Sequence, residues 1–240
     1  MNALMMALRR HIYWKLRAAR HERHVNWLPQ AGIAYFRVPK AGNSSVRTAL
    51  ARGFELQGPD ALKPWNDGFW RAQPKHIARA LSPKAYLRQT RGQDVWSFTL
   101  IRHPVHRLYS CYNNKILENE TLMPVFAEMG FNQSTSFEAF VEQVAQLSDK
   151  QSDLHIRAQS SFLTLDGKLL PDFVGRLENI EQDWQHIRSE TRARCGVDLG
   201  AMPLKNHRQK RQPEVTQITT PQTLKLIETR YAQDFELLYS

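Results

Sequence analysis

Two short apolar runs, each followed at once by a turn and a helix-compatible stretch, dominate the hydropathy pattern of the chain. The first, Ile33 to Val38, reads Ile-Ala-Tyr-Phe-Arg-Val and stops at Pro39. The second, Trp96 to Arg102, reads Trp-Ser-Phe-Thr-Leu-Ile-Arg and stops at His103-Pro104. Runs of this length, rich in β-branched and aromatic residues and bounded by turn signals, predict buried strands. After the first, Ser44 to Phe54 has helical composition. After the second, Pro104 is preorganised for a first helical turn, and Leu108, Tyr109, Tyr112 and Ile116 recur on one helical face. A third strand is predicted near Asp172 to Gly175. Further helices are predicted at Ser136 to Leu147, Glu178 to Arg194 and Pro221 to Leu238, and another after His76 with Ile77, Ala80 and Leu81 on its apolar face. Between Gln57 and Pro74, glycine, proline, aspartate and tryptophans without a clear period predict a loop-rich insertion.

Strands alternating with helices predict an α/β domain over residues 31–240, with helices in layers on both sides of a central, mainly parallel sheet. In such sheets ligands bind at the carboxyl ends of strands. Both interesting loops, Pro39 to Ser45 and Arg102 to Ser110, follow strand ends. Residues 1–30 form a separate basic extension: Met1, Met5, Leu8, Ile12 and Leu16 fall at helical spacing, with Arg9, Arg10, Lys15, Arg17 and Arg20 on other faces. Its apolar runs are shorter than the ~20 residues of a membrane span, and it lacks the apolar core and cleavage site of a signal peptide. Two readings of this segment stay open: a helix packed on its own domain, or one resting on a membrane surface.

Composition sharpens the picture in one respect. With 240 residues, 42% apolar, the chain has the length and content of one well-buried globular domain. Its formal charge of +10 points to a polyanionic partner without choosing among nucleic acid, anionic glycan, anionic membrane and phosphorylated nucleotide. Cys111 and Cys195 make neither a disulfide framework nor a zinc pair and read as structural.

The segment Pro39-Lys40-Ala41-Gly42-Asn43-Ser44-Ser45 has the makings of a phosphate cradle. Small residues let the backbone wrap an anion, the following helix offers its positive end, Lys40 adds a charge, and Ser44 and Ser45 add hydroxyls. It is not a Walker A loop, because GxxxxGK[ST] is absent. In the second segment, Arg102-His103-Pro104-Val105-His106-Arg107-Leu108-Tyr109-Ser110, a phosphate at the strand–helix junction would accept hydrogen bonds from the Arg102 guanidinium and the Ser110 hydroxyl. Each segment alone also reads as ordinary structure, a capped helix start or a strand-end arginine paired with a carboxylate.

Taken together and in this order, the two segments resemble the 5′-phosphosulfate loop and the 3′-phosphate motif of PAPS-dependent sulfotransferases (PAPS, 3′-phosphoadenosine 5′-phosphosulfate). YFRVPKAGNSSVRTAL and FTLIRHPVHRLYSCYNNK look most like the Golgi carbohydrate sulfotransferases and their bacterial relatives, and the likeness continues through SDLHIRAQSSFL, DFVGRLENIEQDW and YAQDFELLYS. The resemblance implies a P-loop-like three-layer fold and sulfuryl transfer from PAPS to a hydroxyl of a carbohydrate or glycoconjugate, with no metal. It implies that Lys40, Gly42, Asn43, Ser44 and Ser45 hold the 5′-phosphosulfate, that Arg102 and Ser110 hold the 3′-phosphate, and that Lys40 stabilises the leaving group. The acceptor hydroxyl needs a base. His76, between the two motifs, resembles a histidine that relatives place beside the acceptor; His155 is the runner-up, or binds substrate together with Gln159. The pattern departs from its relatives in lacking His-x-His and in carrying KNHRQKR where they show Asn followed by Ser or Thr. The Golgi relatives carry a membrane anchor that this sequence does not show, so a cytoplasmic, bacterial enzyme is the expectation. A P-loop nucleotide kinase would share the cradle but needs a Walker A loop and a magnesium aspartate. A basic nucleic-acid-binding module would need a reader motif, which is not visible here.

Overall fold

The structure, a computed structural model, describes residues 23–203 and 213–240. Its centre is a five-stranded sheet of β1 (Val25–Leu28), β2 (Ile33–Phe36), β3 (Arg79–Leu81), β4 (Trp96–Ile101) and, after a small β5–β6 hairpin (Thr164–Leu165 and Lys168–Leu169), β7 (Phe173–Arg176). The strand order is β3-β1-β2-β4-β7. The pairs β2–β4 and β4–β7 are parallel, whereas β1 runs antiparallel to both β2 and β3. The sheet is therefore mixed, which corrects the expectation of a mainly parallel one.

The helices are α1 (Asn43–Gly53), α2 (Asp67–Ala72), α3 (Pro83–Gln89), α4 (Pro104–Tyr112), α5 (Pro124–Glu128) and α6 (Phe137–Ala145). They continue with α7 (Ser160–Leu163), α8 (Ile180–Cys195), α9 (Val215–Ile218), α10 (Pro221–Arg230) and α11 (Ala232–Leu238). None of the described helices is long and apolar enough to cross a membrane.

Three differences from the sequence reading have local causes. Val25–Leu28, inside the stretch assigned to the extension, is an inner strand. It turns through Pro29–Ala31 and the left-handed Gly32 (φ 61°) into β2, and a Cβ on Gly32 would lie 3.0 Å from the Asp94 carbonyl. The helix expected over Ile77 to Leu81 is instead a turn and an edge strand. Ile77 and Ala78 donate back to the Pro74 carbonyl, and β1 then captures residues 79–81, so sheet pairing overrides helical spacing. The carboxyl-terminal helix breaks at Tyr231, whose buried hydroxyl donates to the Ile156 carbonyl at 2.7 Å.

Alternation along the strands sorts the core. Ile33, Tyr35, Phe98 and Leu100 face Val46 and Leu50 of α1 and Trp184 and Ile187 of α8. Ala34, Phe36 and Ile101 face Tyr86 of α3 and Phe162 and Leu163 of α7. A third cluster joins α4, α6 and α10 through Val105, Leu108, Phe140 and Ile227, which anchors the helix that follows β4.

Candidate active site

The Pro39–Ser45 segment leaves the carboxyl end of β2 and bends into α1 through two left-handed residues, Lys40 (φ 67°) and Gly42 (φ 72°). Alternating backbone handedness of this kind turns successive N–H groups into one concavity. Lysine at positive φ is strained, a cost borne where a site needs the shape. Gly42 is required for a second reason: a Cβ there would come within 3.0 Å of Met202 Cε and 3.1 Å of Leu177 Cδ2. The first hydrogen bond of α1 runs from Val46 N–H to the Gly42 carbonyl at 3.0 Å, and no side chain caps the helix. The N–H groups of Asn43, Ser44 and Ser45 thus remain for an anion. Burial lowers the Lys40 ammonium to about 8, and the charges of Lys115 and Arg102 push the same way, against Cys111 and Glu118.

Arg102 follows the end of β4, the strand paired in parallel with β2, so both loops emerge along one sheet edge. Its main chain is fixed by the Gln159 side chain, which accepts from Arg102 N–H at 3.0 Å and donates to the Arg102 carbonyl at 2.8 Å. Arg102 Nε is buried without a hydrogen-bond partner, and burial lowers the guanidinium while the nearby Glu178 charge raises it. Glu178 also accepts from His103 N–H at 2.7 Å, capping the start of α4. Ser110 lies half-buried two turns into α4.

A buried arginine ties the two loops together. Arg107 donates to the carbonyls of Pro39 (2.9 Å), Arg157 (2.7 Å) and Leu154 (3.4 Å). It joins the cradle, α4 and the 154–157 segment in one clasp. That last segment brings in His155, whose Nδ1 lies 2.5 Å from Oδ1 of the buried Asp153. Burial lowers the His155 pKa, the Asp153 hydrogen bond and charge raise it, and Lys115 and Lys40 lower it again. His155 therefore stands within electrostatic reach of both lysines. Lys115 itself sits on a π-helical turn, Asn113–Leu117, that continues α4. Such widened turns recur at functional sites; this was the one signal that could have flagged Lys115, and sequence spacing does not reveal it.

The other expected site residues fall elsewhere. His76 is exposed in the turn before β3. Through β1, Leu81 aligns with Phe36 and Arg79 with Ala34, so His76 precedes β3 at the sheet edge opposite the cradle. Gln159 is fully buried with its amide engaged by Arg102, so it positions that residue rather than facing a substrate. His103 and His106 pack against each other, with His106 Nε2 at 3.2 Å from the Pro213 carbonyl. Within KNHRQKR, Asn206 and Arg208 lie outside the described residues.

A strained cradle after β2 and a half-buried arginine after the adjacent parallel β4 form one basic site, with Lys40 and the Asp153–His155 pair close enough to interact electrostatically. The family profile described as the sulfotransferase family matches residues 23–240, and the chain belongs to that family. It is a transferase of sulfuryl groups. No curated protein and no solved structure matches the chain.

Proposed function

We propose that the enzyme transfers the sulfuryl group of PAPS to a hydroxyl of a carbohydrate or glycoconjugate. The observation that carries this reading is the hydrogen-bonded junction of the two loops through Arg107, with Lys40, Arg102 and the Asp153–His155 pair grouped around it. In this reading the β2–cradle–α1 unit is P-loop-like. Lys40, Gly42, Asn43, Ser44 and Ser45 hold the 5′-phosphosulfate, and Arg102 and Ser110 hold the 3′-phosphate that separates PAPS from ATP-like nucleotides.

The acceptor oxygen attacks sulfur in line as the bond from sulfur to the bridging phosphate oxygen breaks. Negative charge grows on that oxygen as 3′,5′-diphosphoadenosine leaves. By analogy with phosphoryl transfer, positioning and electrostatics supply most of the acceleration. Lys40 stabilises the leaving oxygen, and its desolvated surroundings strengthen the interaction. The hydroxyl proton passes to His155, which burial and two neighbouring lysines keep neutral, with Asp153 fixing the ring and stabilising the imidazolium that forms. We assign the base to His155 rather than His76 because His76 is exposed in the turn before β3, whose first residue, Arg79, lies level with Ala34 near the start of β2, whereas the cradle follows the end of β2.

The test is His155→Gln, measured for turnover and for binding of 3′,5′-diphosphoadenosine. A base acting only in the transition state predicts a loss of about 10²-fold or more in kcat with nucleotide affinity kept. Near-wild-type turnover in the folded variant, with the loss found in His76→Ala instead, contradicts the assignment.

A further inference from the structure

A carboxylate stands at the edge of the sheet where the basic loops emerge. In the β4–β7 register Ile101 lies level with Arg176, so the Leu177–Asn179 turn after β7 leaves the sheet beside Arg102 and His103 after β4. Glu178, exposed in that turn, accepts from His103 N–H at 2.7 Å through Oε1, and the Tyr239 hydroxyl donates to Oε2 at 3.4 Å. Tyr239 is itself held by Arg176, whose guanidinium carbon lies 4.9 Å from the ring centroid and whose Nη2 donates to the Leu238 carbonyl at 2.9 Å. The His103 ring also packs on Tyr239 and Phe235, at 5.7 and 5.5 Å between centroids.

A helix start needs only an acceptor for its free N–H groups, and neutral Ser, Thr or Asn serve there as well as Asp. Glu178 brings a full negative charge as well, and sets it against the two features that make this edge attractive to an anion. One is the positive end of α4. The other is Arg102, whose Nε is buried without a hydrogen-bond partner and on which the charge of Glu178 acts more strongly than that of Tyr239 or Arg107. The neighbouring cation Arg176 is engaged by the Leu238 carbonyl and the Tyr239 ring. An anion at Arg102 is therefore attracted by the guanidinium and repelled by a carboxylate fixed on the next residue's N–H.

We propose that Glu178 sets the affinity for the nucleotide by opposing its 3′-phosphate, so that 3′,5′-diphosphoadenosine is held loosely enough to leave after transfer. This rests on the donor reading above, which puts the 3′-phosphate at Arg102 and Ser110. Donor and product carry the same 3′-phosphate. Tighter binding at this end therefore stabilises both alike, does nothing for the transfer step, and slows release of the product. A neutral residue at position 178 would leave donor and product more tightly bound.

The test is Glu178→Gln, which keeps an acceptor oxygen for His103 N–H and removes the charge, beside Glu178→Ala, which removes the charge and adds no donor. Calorimetry with 3′,5′-diphosphoadenosine and with AMP is run at about 50 and about 500 mM salt, since an exposed charge is screened at the higher value. Glu178→Gln should bind 3′,5′-diphosphoadenosine roughly threefold to tenfold more tightly than the parent at low salt, lose most of that gain at high salt, and bind AMP as the parent does. Release of the product, followed by stopped flow, should slow by the same factor. A carboxylate that only caps α4 predicts the reverse, a loss of affinity that accompanies a lower Tm and ignores salt. Unchanged or weaker binding of 3′,5′-diphosphoadenosine in Glu178→Gln, or an equal gain for AMP, overturns the proposal and leaves the donor reading standing. So does a gain absent from Glu178→Ala, which would trace to the new amide donor. A parent enzyme that binds 3′,5′-diphosphoadenosine no more tightly than AMP defeats the donor reading and this proposal with it.

Discussion

Lys40 gives the sharpest handle on the chemistry, because its ammonium must be charged to stabilise the leaving oxygen yet loses its proton at about 8 in the free enzyme. The cause is burial first, with Lys115 and Arg102 adding repulsion. Because kcat/KM reports the free enzyme, it should fall on the alkaline side with a midpoint at about 8. One pH unit above that midpoint about a tenth of the molecules keep the charge, so kcat/KM there should be roughly tenfold below its plateau. The bound phosphosulfate adds negative charge beside Lys40, so the limb should move upward in kcat. Lys40→Arg supplies a guanidinium that stays charged over this range, and the alkaline limb should vanish at a reduced plateau. The acid limb reports His155: its lowered pKa places loss of activity below the ordinary histidine value of about 6.5. Initial rates from about pH 5 to 10, with donor varied at acceptor held well below saturation for kcat/KM and at saturating acceptor for kcat, measure both limbs. An alkaline limb that persists unchanged in Lys40→Arg, or that begins only above about pH 10 in the parent enzyme, refutes the assignment.

Arg102→Ala removes a charge-assisted contact worth roughly 1.5–3 kcal/mol, or about one to two decades of affinity. Calorimetry should show that loss for 3′,5′-diphosphoadenosine and little for AMP; equal losses would remove the 3′-phosphate role. Arg107→Met leaves the carbonyls of Pro39, Leu154 and Arg157 without their donor, at a cost of roughly 3 kcal/mol. A fall in Tm of about 6–12 °C follows for a chain of this size, and an unchanged Tm would mean that Arg107 is not the clasp. Sulfuryl transfer should survive chelator treatment, since Lys40, Arg102 and the first N–H groups of α1 supply the positive field; strict magnesium dependence in purified enzyme would favour the kinase mechanism.

The strands that carry the site were legible in the sequence because each is a continuous apolar run ended by a turn signal: Ile33–Phe36 before Pro39, and Trp96–Ile101 before His103-Pro104. Their loops were legible because glycine, serine and basic residues cluster where a strand meets a helix. What escaped depends on partners distant in the chain. Val25–Leu28 contains Asn26, a polar residue buried by pairing on both sides, so no alternation marks it. Arg79–Leu81 is three residues long and is a strand only because β1 lies beside it. His76 drew notice by its place between two motifs, but linear order does not say which sheet edge a turn occupies; the strand register does. Gln159 read as a substrate ligand and Arg107 carried no assigned role, and what they do depends on carbonyls and amides some 50 to 70 positions away in the chain.

The central claim, transfer of a sulfuryl group from PAPS to a glycan hydroxyl, is tested most directly by mass spectrometry of both products from purified enzyme, PAPS and a panel of oligosaccharides. The account predicts one 3′,5′-diphosphoadenosine formed for each sulfate ester gained by the acceptor, with both products lost together in Lys40→Ala. Nucleotide turnover without a sulfated acceptor, or transfer that proceeds equally well from a donor lacking the 3′-phosphate, would contradict it.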